Sequence, residues 1–341
     1  MNWRGVELCC PGCRGDLTEG GDVEPELRCA SCDARYPVIL GIPDLRVFDD
    51  PYIGREADRA KGRALAKRFG DLDFAGLVEH YYAATPVVTP AQARAFSAGL
   101  LAAEPRARAT LEGWEGPPPA EPRAGTLLEI GCGTAPMLLA ARTRYATVVG
   151  VDIAFRWLVV ARKRLEEAGV DLPTICACAE ALPFPDARAD VMVGDAVIEN
   201  VQDQRRTLAE CHRVLRPGGA LHLTTSNRLS VGPDPQTGIW AVGWRSASSV
   251  DARVKRGGGV PPKRTLLSAR ALRQLLHESG FTGVQLGLPR FPAAQRAQFP
   301  PPLRIIAAAY GVATTLPVIR QALFAIGPKV TATARRPTAP S

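Results

Sequence analysis

The chain has 341 residues, 46% hydrophobic and 22% charged, enough to bury a large core and too apolar for a disordered polymer. It does not open on a basic stretch followed by an apolar run, so a cytoplasmic protein is expected. The net charge of +8 is uneven: residues 1–50 carry −5, residues 51–203 carry −3 and residues 204–341 carry +16. That asymmetry suits an anionic ligand, RNA, a membrane surface or docking of one end on the other.

Residues 1–50 hold Cys10-Pro-Gly-Cys13 and Cys29-Ala-Ser-Cys32, two C-x2-C knuckles fifteen residues apart. This spacing predicts tetrahedral zinc on a ribbon held by Cys10, Cys13, Cys29 and Cys32. Disulfides are the competing use, and they are rare in reducing compartments. Cys9 adjoins a ligand, but the Cys-Pro-Gly-Cys spacing favours Cys10. So small a module lacks a core of its own, and about 10–16 kcal/mol of zinc binding can supply its folding energy. Cys132, Cys176, Cys178 and Cys211 read as small buried apolar residues.

Residues 51–122 form a helical cap and linker. Leu65, Phe69 and Leu72, then Phe96, Leu100 and Leu101, recur at helical spacing. His80-Tyr81-Tyr82 lies among them, and either tyrosine could line a pocket or simply pack between helices. Gly113–Gly125, with Pro117-Pro118-Pro119, reads as a stiff linker.

Residues 123–289 alternate strand and helix patterns, the signature of an α/β fold with a parallel sheet covered on both faces. Its most informative stretch is TLLEIGCGTAPMLLAARTRYATVVGVDIA, residues 126–154. An apolar strand meets Gly131-Cys132-Gly133, a helix follows, and a second strand closes at Asp152. The glycines permit a sharp turn close to a ligand, the helix offers it free N–H groups, and Asp152 stands where a carboxylate accepts from ribose hydroxyls. A dinucleotide fingerprint needs a third small residue, and Pro136 holds that place. No pyrophosphate needs cradling, which favours S-adenosylmethionine (SAM) over a nicotinamide dinucleotide. Further strands are expected near 173–179, 190–196, 220–226 and 282–288, with Ser268 capping a helix over 269–279.

The same turn, followed by Ala179-Glu180-Ala181-Leu182-Pro183-Phe184, Glu199-Asn200-Val201 and Val214-Leu215-Arg216-Pro217-Gly218-Gly219, resembles the class I SAM-dependent methyltransferases over residues 124–288. The resemblance implies a Rossmann-like seven-stranded sheet with Lys329–Arg335, in the terminal section 328–341, as an antiparallel last strand, and residues 290–327 as a helical insertion. It places Gly131 and Gly133 under the methionine part of SAM, with Glu129 ordering the loop, Asp152 on the ribose and Ile153 on the adenine. Cys178-Ala179 falls where the family writes Asp-Ala. A thiol accepts poorly, and Glu180 can compensate. Ala135 replaces a usual glycine, and Asn200 a frequent His. Asp195 ends a strand at the sheet edge where ligands bind. The segment Arg35–Asp44 resembles the tail of small zinc-ribbon proteins that activate tRNA and protein methyltransferases. Large-subunit rRNA guanine methyltransferases also carry an N-terminal ribbon, although an acidic ribbon repels phosphates.

Asn227–Thr265 combines Trp240 and Trp244 with Arg245, Arg253, Lys255, Arg256, Lys263 and Arg264. It reads equally as a substrate- or base-holding loop and as an exposed loop with its tryptophans packed beneath. Ile305–Ile319 is the longest apolar run, bounded by Arg304 and Arg320 and broken by Pro317, short of the roughly 18 residues of a membrane span. His212, His222 and His277 read as structural. His80 and Glu199 are the candidate catalytic groups. The expected activity is methyl transfer from SAM to a small metabolite, anionic or lipophilic. An RNA-base methyltransferase and a non-catalytic SAM-binding module are the alternatives.

Overall fold

The computed structural model describes residues 1–21, 24–85, 88, 90–115, 123–234, 236–289, 296 and 301–338. Short strands open the chain: β1 (Asn2–Trp3), β2 (Val6–Glu7), β3 (Leu17–Gly20), β4 (Glu26–Cys29), β5 (Arg35–Ile39) and β6 (Ile42–Pro43). The last four pair in sequence order as an antiparallel ribbon. Four helices follow: α1 (Arg55–Ala66), α2 (Phe74–Ala83), α3 (Pro90–Leu101) and α4 (Ala103–Glu115). The linker expected over 113–125 is narrower, since α4 runs to Glu115 and the next strand starts at Arg123. Its triproline lies outside the described residues.

The core alternates β7 (Arg123–Ile130), α5 (Pro136–Ala141), β8 (Tyr145–Asp152), α6 (Phe155–Glu167), β9 (Thr174–Cys176), β10 (Ala189–Asp195), α7 (Gln204–Val214) and β11 (Leu215–Ser226). Then come α8 (Ala247–Arg256), α9 (Ala269–Glu278), β12 (Thr282–Gly287), α10 (Pro301–Ala313), α11 (Pro317–Ile326) and β13 (Lys329–Arg335). The seven-stranded sheet runs β12-β13-β11-β10-β7-β8-β9, with β13 antiparallel to both neighbours. These are the seven strands and the reversed Lys329–Arg335 strand that the resemblance implied. Of the insertion expected over 290–327, two helices are described, and 290–295 with 297–300 lie outside the described residues.

Strand alternation sorts the core. Leu128, Ile130, Val149 and Val151 face a cluster containing Leu208, Cys211, Leu272 and Leu276 from α7 and α9. Leu127 and Val148 face Leu138 of α5, Leu111 of α4 and Leu165 of α6. Ser268 caps α9 by accepting from Ala271 N at 3.2 Å, as its sequence position predicts. The strand order reverses direction between β7 and β10, which opens a crevice at their carboxyl ends.

The ribbon is seated on apolar surface at the β9 edge. Leu8, Leu17 and Leu27 belong to the same buried cluster as Leu128 and Ile175. Cys9 N donates to Pro183 O at 3.0 Å, and Leu45 N to Cys176 O at 2.7 Å. The C-terminal strands β12 and β13 lie at the opposite end of the sheet from β9.

His222, expected to be structural, sits buried in β11 with Nδ1 3.1 Å from Thr333 Oγ1 and its ring stacked on Trp114 at 5.1 Å. Burial first, and then the Arg335 charge, pull its imidazole down from 6.5 to about 4. On acidification the unfolded chain therefore takes up this proton before the folded one. Its stabilising effect is intact above pH 6.5 and is lost toward pH 4 at about 1.4 kcal/mol per pH unit. His222→Asn, which keeps a polar partner for Thr333, is expected to flatten the pH dependence of stability in that window. Urea titrations showing equal slopes for both proteins would contradict it.

Candidate functional site

The crevice is built by the turn that leaves β7. Gly131 has φ +69°, and a Cβ there would lie 2.1 Å from Val197 Cγ2, so packing as well as conformation demands glycine. Gly133 has φ +49° with open space beside it, so conformation alone favours glycine there. Ala135 keeps the left-handed conformation of the glycine it replaces, at φ +62°, and caps α5 ahead of Pro136. Asp152 ends β8 beside this turn. Its Oδ2 accepts from Gly133 N at 2.7 Å and its Oδ1 from Ala154 N at 2.8 Å. Each oxygen keeps a further lone pair for a ligand.

A cavity of about 200 Å³ opens here, lined by Gly131, Asp152, Ile153, Ala179, Glu180 and Asp195 among the residues expected from sequence. Pro51, Val197, Asn200 and Gln202 also stand in its wall. Pro51 and Gln202 were not anticipated; they arrive from the chain after the ribbon and from the loop after β10. Glu129 and Cys178 stand behind the cavity. The Cys178 thiol donates to Phe48 O at 3.5 Å. Glu180 Oε1 accepts from Gln202 N at 2.8 Å, which fixes the loop entering α7.

Charge in the crevice is lopsided. Glu129 is buried, and its Oε2 has no hydrogen-bond partner among the described residues. Burial, with the charges of Asp195 and Asp152 adding, holds its carboxyl well above the usual range. Desolvation also raises Asp152, against the pull of the Ala154 and Gly133 N–H groups and of Arg156. Lys329 Nζ reaches Asp195 Oδ1 only at 3.6 Å. A cationic ligand would relieve this excess of carboxylate.

Behind the Asp152 loop lies a dry ion cluster. Arg46, with no exposed side-chain surface, forks onto both oxygens of Asp44, at 2.8 and 2.7 Å. It also donates to Asp58 Oδ2 at 2.7 Å and to the Ile153 carbonyl at 3.1 Å. Asp58 accepts from Phe155 N at 2.8 Å and from Arg156 at 2.5 Å, and Arg156 reaches Asp50 at 3.1 Å. The peptides on both sides of Ala154 are thus tied to the ribbon tail and to α1.

The four cysteines of the ribbon also converge. The sulfurs of Cys10, Cys13, Cys29 and Cys32 all lie within 4.8 Å of one another, with pairs at 3.4 and 3.7 Å. Tetrahedral zinc with ~2.3 Å bonds needs sulfurs ~3.8 Å apart, so the set fits a metal. Cys13 and Cys29 accept from the Gly15 and Ser31 N–H groups, both at 3.4 Å. Cys9 stays outside the cluster, and burial pushes its thiol up to about 11.

Neither catalytic candidate lines the cavity. Glu199 is buried, one oxygen accepting from Thr225 Oγ1 at 2.7 Å and the other from Ser226 N at 3.0 Å. His80 sits half-buried in α2. Tyr81 and Tyr82 pack on Trp157 at 4.4 and 6.0 Å, the helix-packing role.

Residues 128–223, which carry this turn, Asp152 and Asp195, match the family described as Methyltransferase domain. A demethylmenaquinone methyltransferase of Thermus thermophilus is 38% identical over 94 residues, 28% of this chain and 43% of that protein. A ubiquinone biosynthesis O-methyltransferase of Cereibacter sphaeroides is 35% identical over 102 residues, 30% of this chain and 41% of that protein. The chain therefore spans less than half the length of these curated relatives. A solved SAM-dependent methyltransferase of Thermotoga maritima, described as a possible histamine N-methyltransferase, is 18% identical with a TM-score of 0.44, covering 71% of this chain and 95% of that one. Residues 128–223 thus form a methyltransferase domain.

Arg46→Ala would leave buried Asp44 with Arg59 alone and buried Asp58 with Arg156 and Phe155 N, and breaking a buried pair this way costs about 3–5 kcal/mol. A drop of that size in urea unfolding at neutral pH is expected; a loss of under about 1 kcal/mol, the scale of an exposed pair, would show that the cluster is not dry.

Proposed function

We propose that this chain, with its methyltransferase domain, transfers a methyl group from SAM to a small lipophilic metabolite. The observation that carries the reading is the crevice at the β7/β10 reversal. There Gly131 leaves room, Asp152 is held by two backbone N–H groups, and buried Glu129 is raised by desolvation and by the charges of Asp195 and Asp152. These features fit SAM: Asp152 would hold the ribose, Ile153 would pack on the adenine, and Glu129 and Asp195 would favour a cation. When bound, SAM supplies an electrophilic methyl on a sulfonium. The relatives named for quinone biosynthesis support a lipophilic acceptor.

The chain's own contribution is alignment in a water-poor crevice, which can supply up to roughly 7–11 kcal/mol of barrier reduction. Gly131 and Asp152 fix one partner's position, and Val197 and Pro51 narrow the space around it. No proton acceptor is needed from the protein when the acceptor atom is already nucleophilic. Glu199 then acts as a brace, holding the loop after β10 to the end of β11.

Calorimetric titration with SAM tests this directly. Asp152→Ala is expected to weaken binding by more than about tenfold, since hydrogen bonds to a charged group contribute roughly 1.5–3 kcal/mol each. Its far-ultraviolet circular dichroism should match the wild type, showing that the fold survives the loss of the bonds from Gly133 N and Ala154 N. Unchanged affinity would overturn the cofactor assignment. Supplied with methyl-labelled SAM, the wild type should label an organic-solvent extract; label confined to RNA would replace the metabolite reading by a nucleic-acid one, and no label at all would leave a SAM-binding module.

The cysteine cluster is proposed to hold one structural zinc per chain. Cys29→Ser is expected to release it and to loosen residues 1–45 first, with SAM affinity falling in turn because Arg46 joins the ribbon tail to Ile153. Metal analysis that finds no zinc in the purified protein would refute this.

A further inference from the structure

Two helices at the cavity end of the sheet leave their apolar side chains in water. From Arg304 to Ile326 there is no acidic residue, and Arg304 and Arg320 are the sole charges. Ile305 is 72% and Val318 80% exposed, and Ile306, Val312, Leu316 and Ile319 are exposed as well. Among residues 304–326 only Ala307 is buried. The helices meet at 118°, and no single described helix is long and apolar enough to cross a membrane. An exposed apolar surface of this extent marks a site of association.

Trp240 and Trp244 belong to the same neighbourhood. Val231 N donates to the last carbonyl of α11, Ile326 O, at 3.2 Å; Ala241 N donates to Gly232 O at 3.2 Å. The Trp244 indole donates to Leu229 O at 3.0 Å. Both rings are nonetheless exposed, at 63% and 62%. The chain then runs straight into α8, whose Arg253, Lys255 and Arg256 are exposed.

We propose that α10, α11 and the Trp240–Trp244 loop form a docking surface for the face of an anionic lipid bilayer. Bent apolar helices without acidic residues, tryptophans and adjoining cations are what the interface between headgroups and acyl chains accepts. A second copy would bring one +16 section against another. A nucleic acid would satisfy the cations and leave Ile305 and Val318 in water. The anionic bilayer takes both. Lys329, paired with Ser226 at the start of β13, stands 3.6 Å from Asp195, so the surface adjoins the cavity mouth. The proposal goes beyond the methyl-transfer reading and does not rest on it, because vesicle binding is measured without substrate.

The test is co-sedimentation of the full chain with vesicles of phosphatidylglycerol and phosphatidylcholine in equal parts, or of phosphatidylcholine alone. Binding to the anionic vesicles should be at least about tenfold tighter and should weaken as salt screens the charges. Ile305→Glu with Val318→Glu, both at exposed positions, should cut that binding about tenfold or more without moving the unfolding midpoint. Indole emission provides a readout independent of that variant's folding. It should shift to shorter wavelength when anionic vesicles are added, and Trp240→Phe with Trp244→Phe should remove the shift. The proposal is overturned if the wild type neither sediments with anionic vesicles nor shifts its emission. It is equally overturned if the glutamate variant folds and binds as well as the wild type. A dimer that the glutamate variant dissociates, without vesicle binding, would assign the surface to a second copy.

Discussion

A guanidinium that water does not reach must have its charge and all its donors met inside the protein, and Arg46 is such a group. Meeting that demand fixes parts that otherwise share little. Asp44 comes from the end of the ribbon, Asp58 from α1, and the Ile153 carbonyl from the loop that follows the second core strand. Because charge-assisted bonds in a dry site tolerate little displacement, these three segments are held as one body. Asp152 lies immediately before that loop, so the position of the crevice is set partly by an element some hundred residues away in sequence.

The two groups of carboxylates are treated in opposite ways. Those next to the ribbon are neutralised: despite burial, Arg46 and Arg59 hold Asp44 below the ordinary range. Those at the crevice are desolvated more than their cations offset: Glu129 and Asp152 are pushed above it, Asp152 despite the pull of Arg156. A protein that settles its charges so fully on one side of a loop and not on the other has a use for the imbalance. That imbalance is what the proposed binding of a sulfonium cofactor would use.

Much of this was readable in the sequence because its determinants are local. The turn glycines, Asp152 and the closing strand fall within thirty residues, and knuckle spacing alone grouped the four cysteines. The strand count and the reversed last strand followed from the resemblance, and the buried, thiol-donating Cys178 matches its reading as a small core residue. The Arg46 cluster was not readable. Its members lie at positions 44, 46, 58 and 153–156, and a charged residue in a sequence looks like surface until tertiary packing buries it. Pro51 and Gln202 reach the cavity wall for similarly non-local reasons. The expectation that Trp240 and Trp244 pack beneath their loop is not met, since both rings are exposed.

The seat of the ribbon has one more consequence. β9 is the last strand of the sheet on its side and only three residues long. Asp44 forms a parallel bridge to Cys176, and Leu45 N takes that residue's carbonyl. The ribbon tail therefore caps backbone groups that would otherwise invite a strand from another molecule. If the cysteines hold zinc as proposed, losing it would threaten more than a small module. It would uncover a sticky margin of the largest sheet in the protein, so metal-starved chains should be lost to aggregation sooner than their residual core stability suggests.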